Sequence, residues 1–300
     1  MEALKTILYF SIFRYPLKIE EIHSYTNYAE LCDTEKELHH LIEERILVKV
    51  DEFYIYAHDL ASVTKRLKGN IEAGKIMEKA RKKASFIAQF PYVEAVGISG
   101  SLSKGYYDQK SDIDFFVITK PDKLWLCRTL LMLYKKIFLL NSRKYFCINY
   151  FIATSNLEIE EKNRFTATEL KTLIPMQGKT VFEEFYRKNL WVTDYFSKFE
   201  ADMSTIQNTG KPAFTKAIEF ALDNPIGGFA DALFKKITFR KWKSKFHFMK
   251  EEDFKIALKS TKNISKHHPS HFQKKVILAL NSKIEEVRSN FNIILPEEHA

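Results

Sequence analysis

The hydrophobic pattern divides the chain into stretches of different period. Residues 2–13 (EALKTILYFSIF) read as a buried helix that Pro16 stops. Residues 18–26 make a second, short helix. Thr34 with Glu37 three positions on forms a capping box that opens a third helix, with Leu38, Leu41 and Ile42 on one face. Ile46–Val50 and Phe53–Tyr56 then flank Asp51-Glu52 as a hairpin with an acidic turn. Three helices and a hairpin are the order of a winged helix-turn-helix. Residues 61–90 read as a basic helix ended by Pro91, with Gly69 and Gly74 each weakening it by about 1 kcal/mol relative to Ala.

The pattern changes after Pro91. Val93–Ser99 is a strand rich in β-branched residues. Gly100–Gly105 is a small-residue turn that opens a short helix. Asp112–Thr119 is a second strand, residues 122–140 an amphipathic helix, and Lys144–Ile152 a third strand. Beyond it no convincing strand appears, and residues 156–300 read as helices. Thr166 with Glu169 caps one of them. Pro175, Asn208–Pro212, Asn224–Gly228 and Pro269 punctuate the rest. The expectation is an α+β chain of three parts: a winged-helix-like unit over 1–60, a linking helix with a small mixed-sheet core over 61–155, and a helical C-terminal region over 156–300.

Composition narrows the reading. The chain has 300 residues, 45% of them hydrophobic, with nine glycines and eight prolines, so collagen-like and broadly disordered classes are excluded. The net charge of +9 is uneven. Residues 1–60 hold six basic and twelve acidic side chains, and residues 61–90 hold eight and two. Residues 235–275 hold thirteen and three; the remainder holds 34 and 35. The overall basicity thus belongs to one C-terminal segment. The acidic N-terminal unit faces phosphates poorly, which argues against DNA as a partner. The cysteines are Cys32, Cys127 and Cys147, an odd number without CxxC spacing, so a reducing cytoplasmic location is expected. The apolar run Leu124–Leu140 is broken by Arg128, Lys135 and Lys136, and no signal peptide or membrane span is read.

The chemistry concentrates in residues 97–119 (GISGSLSKGYYDQKSDIDFFVIT). On a strand, Asp112 and Asp114 share one face while Ile113 and Phe115 point to the core. Two carboxylates at the end of an apolar strand repel each other and need an offsetting cation. Mg²⁺ (or Mn²⁺), held by one or two carboxylates plus substrate phosphates, fits that need. Gly100 lets a phosphate approach the backbone, Ser101 offers a hydroxyl, and Lys104 offers a cation one turn later.

The order of strand, Gly100-Ser101, a spacer over 102–111 and Asp112-Ile113-Asp114 resembles the signature of the DNA polymerase β-like nucleotidyltransferase superfamily. The GSLSKG turn is similar to the GSxAxG form of its minimal and aminoglycoside-type members. The resemblance covers about residues 91–152. The wider order is similar to bacterial nucleotidyltransferase-domain proteins with an N-terminal winged-helix region. It implies nucleotide binding by Gly100, Ser101, Lys104 and Ser111, and a catalytic metal on Asp112 and Asp114. It also implies transfer of a nucleoside monophosphate, AMP from ATP, to an unidentified acceptor hydroxyl with release of pyrophosphate. Many members place a third carboxylate on the next strand. Here the polar residue at that alternation is Asn149, which cannot serve as a general base. Glu158, Glu160 and Glu169 are the nearest acidic candidates.

Two alternatives follow. One is a catalytically impaired nucleotide-binding regulator or scaffold. The other is an RNA-directed transferase, in which Phe239, Trp242, Phe246 and Phe248 interleave with the basic residues of 235–275. Arg128 could reach a phosphate, and Asn189 with Trp191 could shape a pocket.

Overall fold

The computed structural model describes residues 1–56, 59–268 and 271–299. Pro269, expected to punctuate the C-terminal helices, lies outside the described residues. The N-terminal stretch forms α1 (Glu2–Ser11), α2 (Ile19–Ser24), α3 (Leu31–Glu43) and the hairpin β1 (Leu47–Val50) and β2 (Phe53–Tyr56). The hairpin register is Leu47 opposite Tyr56 and Val50 opposite Phe53, with Asp51 in the left-handed region at the turn. α4 (Ala61–Ala88) leads to β3 (Val93–Ser99), α5 (Gly100–Ser103), β4 (Asp114–Thr119), α6 (Leu124–Phe138) and β5 (Cys147–Ala153). The chain continues through α7 (Arg164–Thr172), β6 (Ile174–Gln177), α8 (Lys179–Lys188), α9 (Val192–Tyr195), α10 (Ala213–Leu222) and α11 (Pro225–Lys245). It ends with α12 (Glu251–Ala257), β7 (Ile264–Lys266) and α13 (Phe272–Phe291).

The core sheet has five strands in the order β6-β3-β4-β5-β7. β4 and β5 are parallel and every other pair is antiparallel. The expectation of no strand beyond residue 152 is therefore corrected: β6 and β7 close the two edges. Both are short and escape a pattern search. β6 contains Pro175, which a strand tolerates at an edge, where a missing N–H breaks no interior ladder.

Side chains alternate across the sheet. Val96, Ile98, Phe115, Val117 and Ile148 pack with α4, α6 and α11 on one face. Ala95, Phe116, Ile118 and Ile152 pack with α7, α8, α13 and the N-terminal helices on the other. Among the described residues, no helix is long and apolar enough to cross a membrane.

Both expected capping boxes are replaced. Thr34 lies inside α3, fully buried against His23 Nδ1 at 2.9 Å. Glu37 instead accepts the amides of Ala3 and Leu4 at 3.1 and 2.9 Å, and so caps α1. Thr166 lies inside α7, whose cap is Asn163, accepting the Thr166 amide at 3.0 Å. Glu169 is thereby free for a partner elsewhere.

Candidate active site at the Gly-Ser turn

β3 ends at Ser99, paired with Asp114 on β4, and the chain turns at Gly100 with φ +71°. A Cβ there would sit 2.5 Å from Asp114 Oδ2, so glycine is required both by the backbone and by the carboxylate packed on it. The turn is held from inside and outside. Ser103 Oγ donates to the Gly100 carbonyl at 2.9 Å, and Lys104 Nζ to the same oxygen at 3.1 Å. The Tyr107 amide donates to the Gly69 carbonyl at 3.1 Å, and Tyr15 Oη to the Lys104 carbonyl at 2.9 Å. Gly69 weakens α4 as an isolated helix, yet any side chain there would run into the Tyr106 ring. It is the position at which the loop after the Gly-Ser turn meets α4.

Asp114 opens β4, and Asp112 precedes it by two residues. Ile113 is fully buried between them, and its amide donates to the Lys144 carbonyl at 3.0 Å. Burial pushes the Asp114 carboxyl up to about 6; a hydrogen bond with Cys147 opposes the shift, and the charges of Asp112 and Glu169 add to it. Lys104 acts in the lowering direction. The Cys147 thiol is itself pushed up to about 12 by burial, so it is no thiolate nucleophile at neutral pH.

Asn149 meets Asp114 directly: its Nδ2 donates to Asp114 Oδ1 at 3.1 Å, and lies 3.1 Å from Cys147 Sγ. The β4–β5 register runs Phe115 to Ile148 and then Phe116 to Tyr150, which leaves Asn149 as the extra residue of a bulge. Bulges re-aim a side chain and concentrate near functional sites. Its carbonyl accepts the His267 amide at 2.8 Å, which ties the segment after β7 to this point.

Of the three glutamates, only Glu169 reaches the site. It faces Lys104 at 2.8 Å, with the two side chains 28% and 15% exposed. Glu158 pairs with Lys162 and Glu160 with Lys259, both glutamates on the surface. Lys104 is thus engaged by Glu169 as well as by Gly100. Ser101 is half-buried at the turn. Ser111 closes the spacer just before Asp112. Its amide and hydroxyl both donate to Asp108 Oδ1 at 2.9 Å, which makes it part of the spacer's own turn.

The structure gives several other candidates partners of their own. Arg128 lies over Trp242, with Cζ 4.8 Å from the ring centroid, rather than beside the Gly-Ser turn. Asn189 is fully buried. It accepts the Ile159 amide at 2.8 Å and donates to the Leu157 and Phe185 carbonyls, each at 2.8 Å. Trp191 Nε1 donates to the same side chain at 3.1 Å, so the pair braces a loop. In the 235–275 segment Trp242 and Phe246 are core residues, while Phe239 and Phe248 are exposed. Lys255, Lys259, Lys262 and Lys274 have carboxylate partners. Among the described residues Lys235, Lys236, Arg240, Lys241, Lys243 and Lys245 of α11 have none.

Among the described residues, no three His, Cys, Asp or Glu side chains gather closely enough to hold a metal ion by themselves. The donor set still fits a hard cation. Asp114 is a buried carboxyl beside the charges of Asp112 and Glu169, a set of oxygen donors whose negative charge Lys104 opposes. A pair of carboxylates suffices for Mg²⁺ when phosphates and water complete the shell.

Comparisons with curated proteins and with solved structures yield no match. A family model described as the nucleotidyltransferase domain matches residues 77–223, from the last turns of α4 to the end of α10. That span contains the glycine turn, the aspartate pair, the bulged asparagine and Glu169. The chain therefore carries, over residues 77–223, a nucleotidyltransferase domain of the DNA polymerase β-like superfamily.

Proposed function

We propose that the domain transfers a nucleoside monophosphate, AMP from ATP, to an acceptor hydroxyl and releases pyrophosphate. The observation that carries this is the contact of the Asp114 carboxyl with Gly100, which joins the phosphate-binding turn to the acidic pair. Gly100 and Ser101 hold the phosphates through backbone and hydroxyl, and Lys104 adds positive charge beside them. Asp112 and Asp114 hold a divalent cation, Mg²⁺ or Mn²⁺, which when bound neutralises charge on the transferring phosphate. The acceptor oxygen bonds to the α-phosphorus as its hydroxyl proton passes to solvent, and the bond from that phosphorus to the pyrophosphate oxygen breaks. Catalysis in this reading is positioning and charge neutralisation. Asn149 keeps the Asp114 carboxyl oriented and takes no proton. The buried thiols of Cys127 and Cys147 and the free Cys32 agree with a reducing compartment, and we place the protein in the cytoplasm.

A structure with Mg²⁺ and a non-hydrolysable ATP analogue tests the reading. The triphosphate is expected between Gly100-Ser101 and Asp112/Asp114; a triphosphate bound elsewhere refutes it. A second reading, a nucleotide-binding regulator without turnover, draws on Asn149 at the third-carboxylate position. Nucleotide binding with no pyrophosphate release across a broad acceptor panel would favour it.

A further inference from the structure

Glu169 stands 65 positions from Lys104 in the sequence, and the sheet brings the two together. β6 follows α7 and pairs with β3, with Ile174 opposite Ile98. Ile98 lies two residues before Gly100 and Ile174 five after Glu169, so this pairing sets the end of α7 beside the Gly-Ser turn. α7 is fixed from behind, where Ala167 and Thr168 are fully buried.

Lys104 is held at both ends. Its carbonyl accepts Tyr15 Oη at 2.9 Å, and its amide donates to the Ser101 carbonyl at 3.1 Å. Its ammonium donates to the Gly100 carbonyl at 3.1 Å and to Glu169 Oε1 at 2.8 Å. An ammonium has three donors, so one is left for a phosphate oxygen. Gly100 lies in turn against the Asp114 carboxylate, so the pinned cation borders the acidic pair.

By charge alone Glu169 has the wrong sign for this place, because a carboxylate repels a triphosphate. Its contact with Lys104 supplies another reason for it. A free lysine stem samples many rotamers, and ordering it is part of the cost of binding. With the two side chains only 15% and 28% exposed, the pair is withdrawn from bulk water and holds better than a surface pair.

We propose that Glu169 is a positioning residue for nucleotide binding, which holds the Lys104 ammonium at the Gly100 carbonyl so that the cation is in place before a phosphate arrives. This rests on the nucleotidyl-transfer reading and adds a residue of α7 to its nucleotide site.

The test measures the affinity of full-length protein for a non-hydrolysable ATP analogue with Mg²⁺, by titration calorimetry. Wild type, Glu169→Ala, Lys104→Met and the double variant are compared, with melting temperatures taken in EDTA. With Lys104 present, Glu169→Ala should weaken binding about fivefold or more, the scale of a charge-assisted contact, although it removes a negative charge. In the Lys104→Met background the same substitution should leave affinity unchanged or raise it, since the carboxylate there only repels. Glu169→Gln keeps an oxygen for the ammonium and should weaken binding less than Glu169→Ala. If Glu169→Ala fails to fold, Glu169→Gln takes its place in both backgrounds, and a loss confined to the Lys104 background supports the proposal. Unchanged or tighter binding on removal of the carboxylate with Lys104 present overturns it. An equal loss in both backgrounds, the mark of a general structural defect, overturns it too. Those results leave nucleotidyl transfer standing. Failure of wild type to bind the analogue overturns that reading and this one together.

Discussion

Gly100→Ala perturbs the site through a single methyl group. At φ +71° an L-residue costs about 1–2 kcal/mol in backbone conformation. The added Cβ would sit 2.5 Å from Asp114 Oδ2 and 3.2 Å from its Cγ, so the carboxylate must move. Moving it breaks the 3.1 Å bond from Asn149, a further loss of about 1 kcal/mol. The expected destabilisation is about 2–3 kcal/mol, read by guanidinium denaturation with EDTA present, so that metal does not contribute. Nucleotide binding should suffer more than stability, because the displaced group is itself in the site. Gly74→Ala is the control. Nothing lies within 4 Å of its Cβ and the helix surface there is exposed, so it should stabilise by about 0.5–1 kcal/mol. The reasoning is refuted if Gly100→Ala unfolds with the wild-type midpoint and binds nucleotide normally.

Other expectations are structural. Arg66 reaches from α4 to Glu21 at 2.5 Å and stacks on Tyr15 at 4.4 Å; Glu21 is partly solvated, so Arg66→Ala should cost about 1–3 kcal/mol, mostly lost packing and hydrogen bonds, measured as a fall in melting temperature. Asn189→Ala orphans the Ile159 amide and two carbonyls, and a loss of about 2–3 kcal/mol in urea denaturation is expected. Burial lowers the His268 pKa to about 4, with the charge of Lys266 adding to it. The folded state therefore resists a proton that the unfolded chain accepts. This stability is intact above the unfolded value of about 6.5 and is lost as pH falls toward 4. Between pH 7 and pH 4.5 the loss should be on the order of 2 kcal/mol more in wild type than in His268→Gln, and equal pH slopes for the two proteins would contradict it.

The strand-turn-strand of the site was legible because its signals are local. β-branched residues mark β3, a glycine marks the turn, and an Asp-x-Asp at the head of an apolar run marks β4. The N-terminal helices and hairpin were legible for the same reason. What escaped depends on distant partners. Glu37 and Glu169 both looked like caps of their own helices, since the spacing from Thr34 and Thr166 fits. One caps α1 and the other meets Lys104, choices that only tertiary packing makes. The asparagine at the third-carboxylate position was visible, but not the bulge that aims it at Asp114. β6 and β7 are edge strands whose pairing comes from the sheet rather than from their own pattern.

The most direct test of nucleotidyl transfer is pyrophosphate release from ATP with Mg²⁺ or Mn²⁺ across a broad panel of hydroxyl-bearing acceptors, in wild type, Asp112→Asn and Asp114→Asn, with folding checked by circular dichroism. Wild type is expected to release pyrophosphate, and each folded variant to lose about a thousandfold or more in rate, the scale of losing metal and phosphate stabilisation together. Release at the wild-type rate from either variant would contradict the assignment of the aspartate pair.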